Sequence, residues 1–304
     1  MKIKQLPEDF YVREELDLAI LPKGDFTYFL LKKKDWSNLD AINKIASVLH
    51  SKPSRFNIAG MKDKNAVTEQ YVSAFKLEKE DLENIRIKDI EIRFLGYGSE
   101  RLSLGQLKCN FFRIVVRDLK ERVKLEDKTI INYFGEQRFG TGRNYLVGKA
   151  LIKKDFKEAC RILNLKVEGN DYIKALRFVD RKDLRFRISA YQSYLWNKVV
   201  SKLKKEYDEV PILGFLTEFK DKEVENVYSK IMEEESIKKE DFIIKQMPEL
   251  TSEGSSRKMF LEVSDLDVEW DKDELNKGKF KAIVSFKLGK GQYATEVIKE
   301  LFSQ

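Results

Sequence analysis

Among 304 residues there is one histidine, His50, and there are two cysteines, Cys109 and Cys160. Zinc sites draw their ligands mainly from those two residue types, so a structural or catalytic zinc has almost nothing to use. A Ser-His-Asp or Cys-His centre could be built only around His50. Two widely separated cysteines in a chain of this length argue for a reducing compartment rather than a disulfide scaffold. No uninterrupted apolar run approaches the roughly 20 residues of a membrane span. The start, Met1 to Phe10, mixes Lys, Gln, Pro and acids with apolar residues and builds no leader. These absences point to a soluble, intracellular, cytoplasmic protein that is not secreted. Nucleotide-binding loops are missing too: no G-x-x-x-x-G-K-S/T occurs, Gly289-Lys290-Gly291 lacks the spacing, and Gly140-Thr141-Gly142 lacks the third glycine of a dinucleotide fingerprint. The latter reads as a tight turn before a helix beginning near Asn144.

What remains is apolar residues enough for real cores, 42% with 12% aromatic, interrupted by only 5 Pro and 15 Gly. Charge is abundant and uneven. The 58 Lys and Arg exceed the 51 Asp and Glu by 7, yet Ser201 to Ser255 alone carries −5, which leaves +12 on the rest. A basic body beside an acidic segment fits a polyanion-binding surface, and nucleic acid is the commonest such partner. A Lys- and Glu-rich surface without any such role has the same composition.

Periodicity orders the chain. Phe10, Val12, Glu14 and Leu16 alternate, and Phe26 to Leu31 is a short apolar run, so strands come first. Leu39, Ile42, Ile45, Ala46 and Leu49 recur at helical spacing behind a cap at Asn38, which puts His50 in the last turn as an ordinary helix-end residue. Strands are expected at Tyr71–Phe75, Ile90–Tyr97, Leu102–Leu107 and Phe111–Val116, and short helices at Lys79–Ile85 and Lys120–Tyr133. Tyr145–Leu163 and Ser189–Leu203 read as amphipathic helices. After the acidic segment come strands at Met259–Val263 and Phe280–Leu288 and a helix at Thr295–Phe302. A strand-rich body, a helical and acidic stretch and a strand-rich tail indicate an insertion into a sheet domain.

Two segments carry candidate chemistry. Ala59 to Gln70, AGMKDKNAVTEQ, holds Asp63 between Lys62 and Lys64. Neighbouring positive charge favours a carboxylate's charged form, which suits a nucleophile or base. A solvated turn with Asp63 as a cap has the same residues. Asn132 to Arg143, NYFGEQRFGTGR, gathers three aromatics, two arginines and three glycines. Aromatic faces stack on unpaired bases and Arg binds phosphate, although a turn with packed aromatics is equally compatible.

A-G-M-K-D-K-x-A-V-T-x-Q at Ala59 to Gln70 and N-Y-F-G-x-Q-R-F-G at Asn132 to Gly140 resemble the TruD family of pseudouridine synthases. The P-E-D-F-x-V stretch at Pro7 to Val12, Leu104-Gly105-x-Leu107 with Asn110, A-x-Q-S-x-L-W-N at Ala190 to Asn197, and Tyr293-Ala294-Thr295 with Lys299-Glu300-Leu301 resemble it as well, so the likeness spans nearly the whole chain. Cys109 stands where the family usually has Gly, and the segment before Arg257 is shorter than the insertion of larger bacterial relatives.

The resemblance implies an α+β fold: a pseudouridine-synthase-type mixed, mainly antiparallel sheet with flanking helices, interrupted by a smaller α/β insertion domain. Residues 1–180 would be the first part of the catalytic domain, 181–255 the insertion and 256–304 the return. It implies isomerisation of uridine to pseudouridine in RNA, notably uridine 13 of tRNA, without cofactor or metal, by flipping the base into a pocket. Asp63 would be the catalytic nucleophile or base. Phe134 would stack the uracil, Asn132 would hydrogen-bond near Asp63 and the base, and Lys4 would lie beside Asp63. Lys62, Lys64, Arg138 and Arg143 would contact phosphates, and Met61, Phe134 and Phe139 would exclude water. Glu8 and Glu14 are weaker candidates. The implied partner is tRNA or another structured RNA, met by a monomer away from any membrane. A noncatalytic RNA-binding or RNA-folding protein would keep the same surface, whereas a small-molecule C-glycosidase would not need the +12 body.

Overall fold

A computed structural model describes residues 1–123, 129–140 and 142–302. Contacts divide the chain into two compact units, residues 1–128 with 262–304, and residues 129–261. The first unit opens with β1 (Phe10–Glu15), β2 (Phe26–Lys34), α1 (Asn38–Val48), β3 (Phe56–Ile58), β4 (Val67–Phe75), α2 (Lys79–Glu83), β5 (Ile90–Gly98) and β6 (Cys109–Leu119). The second holds α3 (Glu136–Phe139), α4 (Arg143–Ile152), α5 (Phe156–Ile162), α6 (Tyr172–Arg177), α7 (Arg181–Val200), β7 (Glu209–Ile212), α8 (Lys222–Glu235) and β8 (Ser255–Lys258). The chain returns to the first unit with β9 (Ser264–Lys272), β10 (Phe280–Gly289) and α9 (Ala294–Phe302). Position 181, the expected start of the insertion, is the first residue of α7, inside the second unit.

The first unit is built on one sheet of order β5-β2-β4-β1-β6-β10-β9, with β3 added on β4. Among the described residues of this sheet only β1 and β4 run parallel; the other pairs are antiparallel. Alternation produces the packing. Val12, Phe112 and Phe286 are register neighbours on β1, β6 and β10, and the Phe112 and Phe286 rings stack at 5.5 Å. Each such fully buried side chain contributes about 1.5–3 kcal/mol over an exposed one. Strand β9 forms an edge, and its run of acids, Asp265, Asp267, Glu269 and Asp271, discourages pairing with another chain.

The second unit packs around α7, with Tyr191, Leu195 and Trp196 fully buried and the Trp196 indole N–H donating to the Val210 carbonyl at 3.1 Å. Part of the acidic segment is matched internally. Glu234 and Glu235 of α8 take ion pairs from Lys198, Lys202 and Lys149 at 2.7–3.1 Å.

Several expected elements differ. The helix read over Tyr145–Leu163 is two, α4 and α5, because Lys154 adopts φ 58° and the Asp155 carboxylate caps a new start by accepting the Glu158 N–H at 3.0 Å. Of the expected Lys120–Tyr133 helix, residues 124–128 lie outside the described residues, and the rest is not helical. Leu102–Leu107 is a turn, not a strand. Met259–Val263 is an irregular connection, buried at Met259 and Leu261, and the strand comes after it as β9. The cap of α1 is Ser37, whose hydroxyl accepts the Asp40 N–H at 3.0 Å, while Asn38 is buried. His50 follows that helix at φ 49°, a helix-end residue. Among the described residues no helix is long and apolar enough to cross a membrane.

Candidate active site

In the first unit the chemistry centres on the loop from β3 to β4. It has no helix or strand between Ala59 and Ala66, so side chains from elsewhere must define it. The Gly105 N–H donates to the Ala59 carbonyl at 2.7 Å, and Gly105 sits at φ +88°, which a residue with a Cβ rarely adopts. That explains Leu104-Gly105-x-Leu107 as a brace for the loop. The buried Asn38 amide donates to the Gly60 carbonyl at 3.2 Å. Gly60 has no room for a side chain: a Cβ there would lie 2.8 Å from Leu107 Cδ2, 2.9 Å from Lys62 Nζ and 3.0 Å from Glu14 Oε1.

Glycine at position 60 thus admits the Lys62–Glu14 ion pair, 2.6 Å long between side chains 5% and 0% exposed. The second Glu14 oxygen accepts the Tyr71 N–H at 3.1 Å. Lys62, expected to meet phosphate, is therefore a buried strut, and Glu14 is the residue that holds it. Lys64 is exposed, and Met61, expected to help exclude water, is 70% exposed.

The Asp63 carboxylate meets another lysine. The Lys4 ammonium donates to Asp63 Oδ2 at 2.7 Å and sits 4.0 Å from the centre of the Phe10 ring. Both partners are about a quarter exposed. Lys4 takes φ 57°, a conformation that costs a non-glycine residue of order 1 kcal/mol and persists where surrounding contacts over-determine it. Those contacts begin at Pro-Glu-Asp-Phe: the Leu6 N–H and the Arg117 guanidinium both donate to Asp9, at 3.0 Å and 2.9 Å. Asp9 of the motif is thus an anchor that aims Lys4. Glu8 pairs with Lys34 at the surface.

The second unit gathers the other motif. The Asn132 amide donates to the Lys258 carbonyl at 3.1 Å and its oxygen accepts from Arg257, so both ends of the side chain join β8. The Arg257 guanidinium lies 3.9 Å from the Phe134 ring centre, and Trp196 meets that ring edge-on at 5.6 Å. Asn197 grips the Phe134 backbone on both sides, accepting its N–H at 3.0 Å and donating to its carbonyl at 2.9 Å. Arg138 donates to Ser189 and Ser193 and approaches the rings of Phe186 and Phe134 at 4.8 Å and 5.8 Å. Phe139 packs edge-on against Tyr145, and Arg143 is exposed at the start of α4. The expected aromatic platform is thus a cation-backed ring. Arg257 and Asn197 were not singled out by the sequence; the signal for Asn197 is its place in A-x-Q-S-x-L-W-N. Replacing Asn197 with Ala leaves two backbone groups of Phe134 without their partner, which should cost about 1–3 kcal/mol and lower the melting temperature by several degrees in a thermal scan.

Among the described residues no group of three or more His, Cys, Asp and Glu is placed to hold a metal ion.

A loop aspartate on a lysine, carried by a mainly antiparallel sheet, defines the class to which the comparisons point. A sequence profile of tRNA pseudouridine synthase D (TruD) matches residues 1–167 and 207–301. The tRNA pseudouridine synthase D of Aquifex aeolicus is 31% identical, with 99% of this chain and 98% of that protein aligned over 382 positions, so it carries residues where this shorter chain has none. The crystal structure of a candidate TruD protein from Methanosarcina mazei superposes with a TM-score of 0.80 at 25% identity, covering 99% of this chain and 93% of that one. The chain belongs to the TruD family.

Proposed function

We propose that this protein isomerises uridine to pseudouridine in tRNA, at the position the family is known for, uridine 13. The observation that carries the reading is the Lys4–Asp63 pair at 2.7 Å, on a loop whose backbone is held by Gly105 and Asn38. The reaction breaks the bond from C1′ to N1 of the base and forms one from C1′ to C5; C5 loses a proton and N1 gains one. Atoms and electrons balance within the substrate, so a carboxylate that serves as nucleophile or base suffices. Asp63 takes that role, with Lys4 as its cation. Phe134 stacks the flipped uracil, oriented by Arg257, and Asn132 holds Arg257 rather than the base. Lys64 and Arg143, both exposed, take phosphates. Arg138 supports the platform through Ser189 and Ser193. Residues 181–255 are the family's insertion in shortened form, and the protein works as a cytoplasmic monomer.

Carbodiimide mapping of tRNA transcripts incubated with the protein tests this. The expected result is one new stop at uridine 13, absent from a transcript with cytidine there. Salt-sensitive tRNA binding with no product at equimolar protein would instead make the chain an RNA-binding protein without turnover.

A further inference from the structure

Among the described residues Lys33 is the one lysine whose whole residue is only 1% exposed, and the reaction above gives it no part. It belongs to the run Lys32-Lys33-Lys34 at the end of β2, where alternation turns it to the buried side with Phe29 and Leu31. Burying an ammonium costs several kcal/mol unless its protons find acceptors. Here the acceptors are two backbone carbonyls, that of Trp36 at 2.6 Å and that of Asp63 at 3.0 Å. Lys33 is also the third lysine around one aspartate. Lys4 takes the Asp63 carboxylate, Lys62 is turned away onto Glu14, and Lys33 takes the Asp63 main chain.

We propose that Lys33 is a positioning residue for catalysis: its buried ammonium, held by the Trp36 carbonyl, fixes the main chain of Asp63 so that the carboxylate meets the flipped uridine in a reactive geometry. The proposal rests on Asp63 being the catalytic residue. A loop without secondary structure gives a carboxylate no fixed direction of its own, and an error of 1 Å at a reacting group can cost on the order of 10²-fold in rate. The carbonyl oxygen of Asp63 is two bonds from its Cα, so a donor anchored in the sheet sets that Cα more directly than Lys4, which grips the far end of the side chain.

Burial holds the Lys33 ammonium well below an ordinary lysine, at about 8, with Asp63 pulling it up and Lys62 pushing it down. The strand residues opposite, Thr68 on β4 and Ile90 on β5, are uncharged, and the charged residues of α1, Asp40 and Lys44, are exposed. The loop's Asp63 and Lys62 are therefore the charged groups facing it. A lysine whose folded value is lowered opposes folding while charged, so its contribution improves as pH rises from about 8 toward about 10.4. A neutral amine keeps two N–H donors for its two carbonyl acceptors, each weaker than an ammonium's, so the positioning role predicts a partial fall of the reaction, the opposite trend to stability, as the ammonium is lost above pH about 8.

The experiment compares wild type, Lys33→Met, Lys33→Gln and Asp63→Asn in single-turnover pseudouridine formation at saturating enzyme, with tRNA affinity and thermal melting measured alongside from pH 6.5 to 9. The expected result for Lys33→Met is a rate lower by on the order of 10²-fold, tRNA affinity within twofold and a melting temperature no lower than wild type. Lys33→Gln, which keeps a donor, should recover part of the rate. The wild-type rate should fall above pH about 8 while its stability does not, and the Lys33→Met rate should lack that limb. A wild-type rate in Lys33→Met overturns the proposal, as does a loss that follows affinity or melting instead of turnover. Should both variants fail to fold, a wild-type rate that stays level from pH 7 to 9 overturns it. Failure of the underlying reading looks different: either wild type makes no product, or Asp63→Asn retains full activity.

Discussion

Asp63→Asn should bind tRNA and leave it unmodified. The substitution keeps the side chain's shape, and four of the loop's supports do not use the carboxylate. The Gly105 N–H still meets the Ala59 carbonyl, Asn38 still meets Gly60, Lys33 still meets the Asp63 carbonyl, and Lys62 still meets Glu14. What is lost is one negative charge opposite Lys4, a pair about a quarter exposed, so the effect on stability should be small, about 1 kcal/mol or less. Lys4 retains its seat on the Phe10 ring. The chemical effect is of another order. Positioned acids and bases contribute about 10²- to 10⁴-fold, and Glu14, the buried acid that the loop packs on, is locked on Lys62. The rate should therefore fall by about 10²- to 10⁴-fold, seen as no carbodiimide stop at equimolar enzyme over a time in which wild type completes. Affinity, measured by filter binding, should change less than twofold. Full modification by the variant would remove Asp63 from the chemistry, and a loss of affinity equal to the loss of rate would make it a binding residue.

Asp63 stands out in the sequence as a candidate because its motif is long and local; its supports do not, because they come from far along the chain. Glu14 stood in plain alternation with Phe10 and Val12, but its partner Lys62 is 48 residues away and reads as one more basic residue beside an aspartate. Lys33 had a local signal, position 2 after Leu31 on the buried side, hidden in a run of three lysines that looks solvated. The sheet was readable where strands alternate cleanly, as in β1 and β10. It was misread at β9, whose acidic residues mask the alternation of Leu266, Val268 and Trp270, and at Met259, which is apolar because it fills the second unit's core. The split between α4 and α5 turns on one left-handed residue, Lys154, and on Asp155 acting as a cap, a feature that helical periodicity does not register.

Arg117→Met should be the most destabilising single change in the first unit. Its side chain is 4% exposed and bridges three parts of the chain: it pairs with Asp9 beside β1 at 2.8 Å, and with Asp273 and Glu274 between β9 and β10 at 3.0 Å each. Removing one partner from a buried ion cluster leaves uncompensated charge and typically costs 3–5 kcal/mol, here with Asp9 and Asp273 stranded at 1% and 5% exposure. The melting temperature should drop by about 6–20 °C, on the order of 2–4 °C per kcal/mol for a protein of this size. The pH dependence has a definite sign. Against the upward push of burial, the Asp118 N–H, the Asn276 amide and Arg117 hold Asp273 down at about 2, and Arg117 with Lys281 holds the half-exposed Glu274 at about 2. Carboxyls lowered on folding stabilise above their unfolded values of about 4 and lose that contribution as pH falls toward 2. Wild type should therefore lose stability between pH about 4 and 2, and Arg117→Met should start lower and fall less steeply across that window. Activity should be lost with it even below the melting transition, because Asp9 no longer fixes the turn from which Lys4 reaches Asp63. A variant that melts lower but modifies tRNA at the wild-type rate at 20 °C would separate the anchor from the aim of Lys4, and would leave the strained backbone of Lys4 without the support assigned to it.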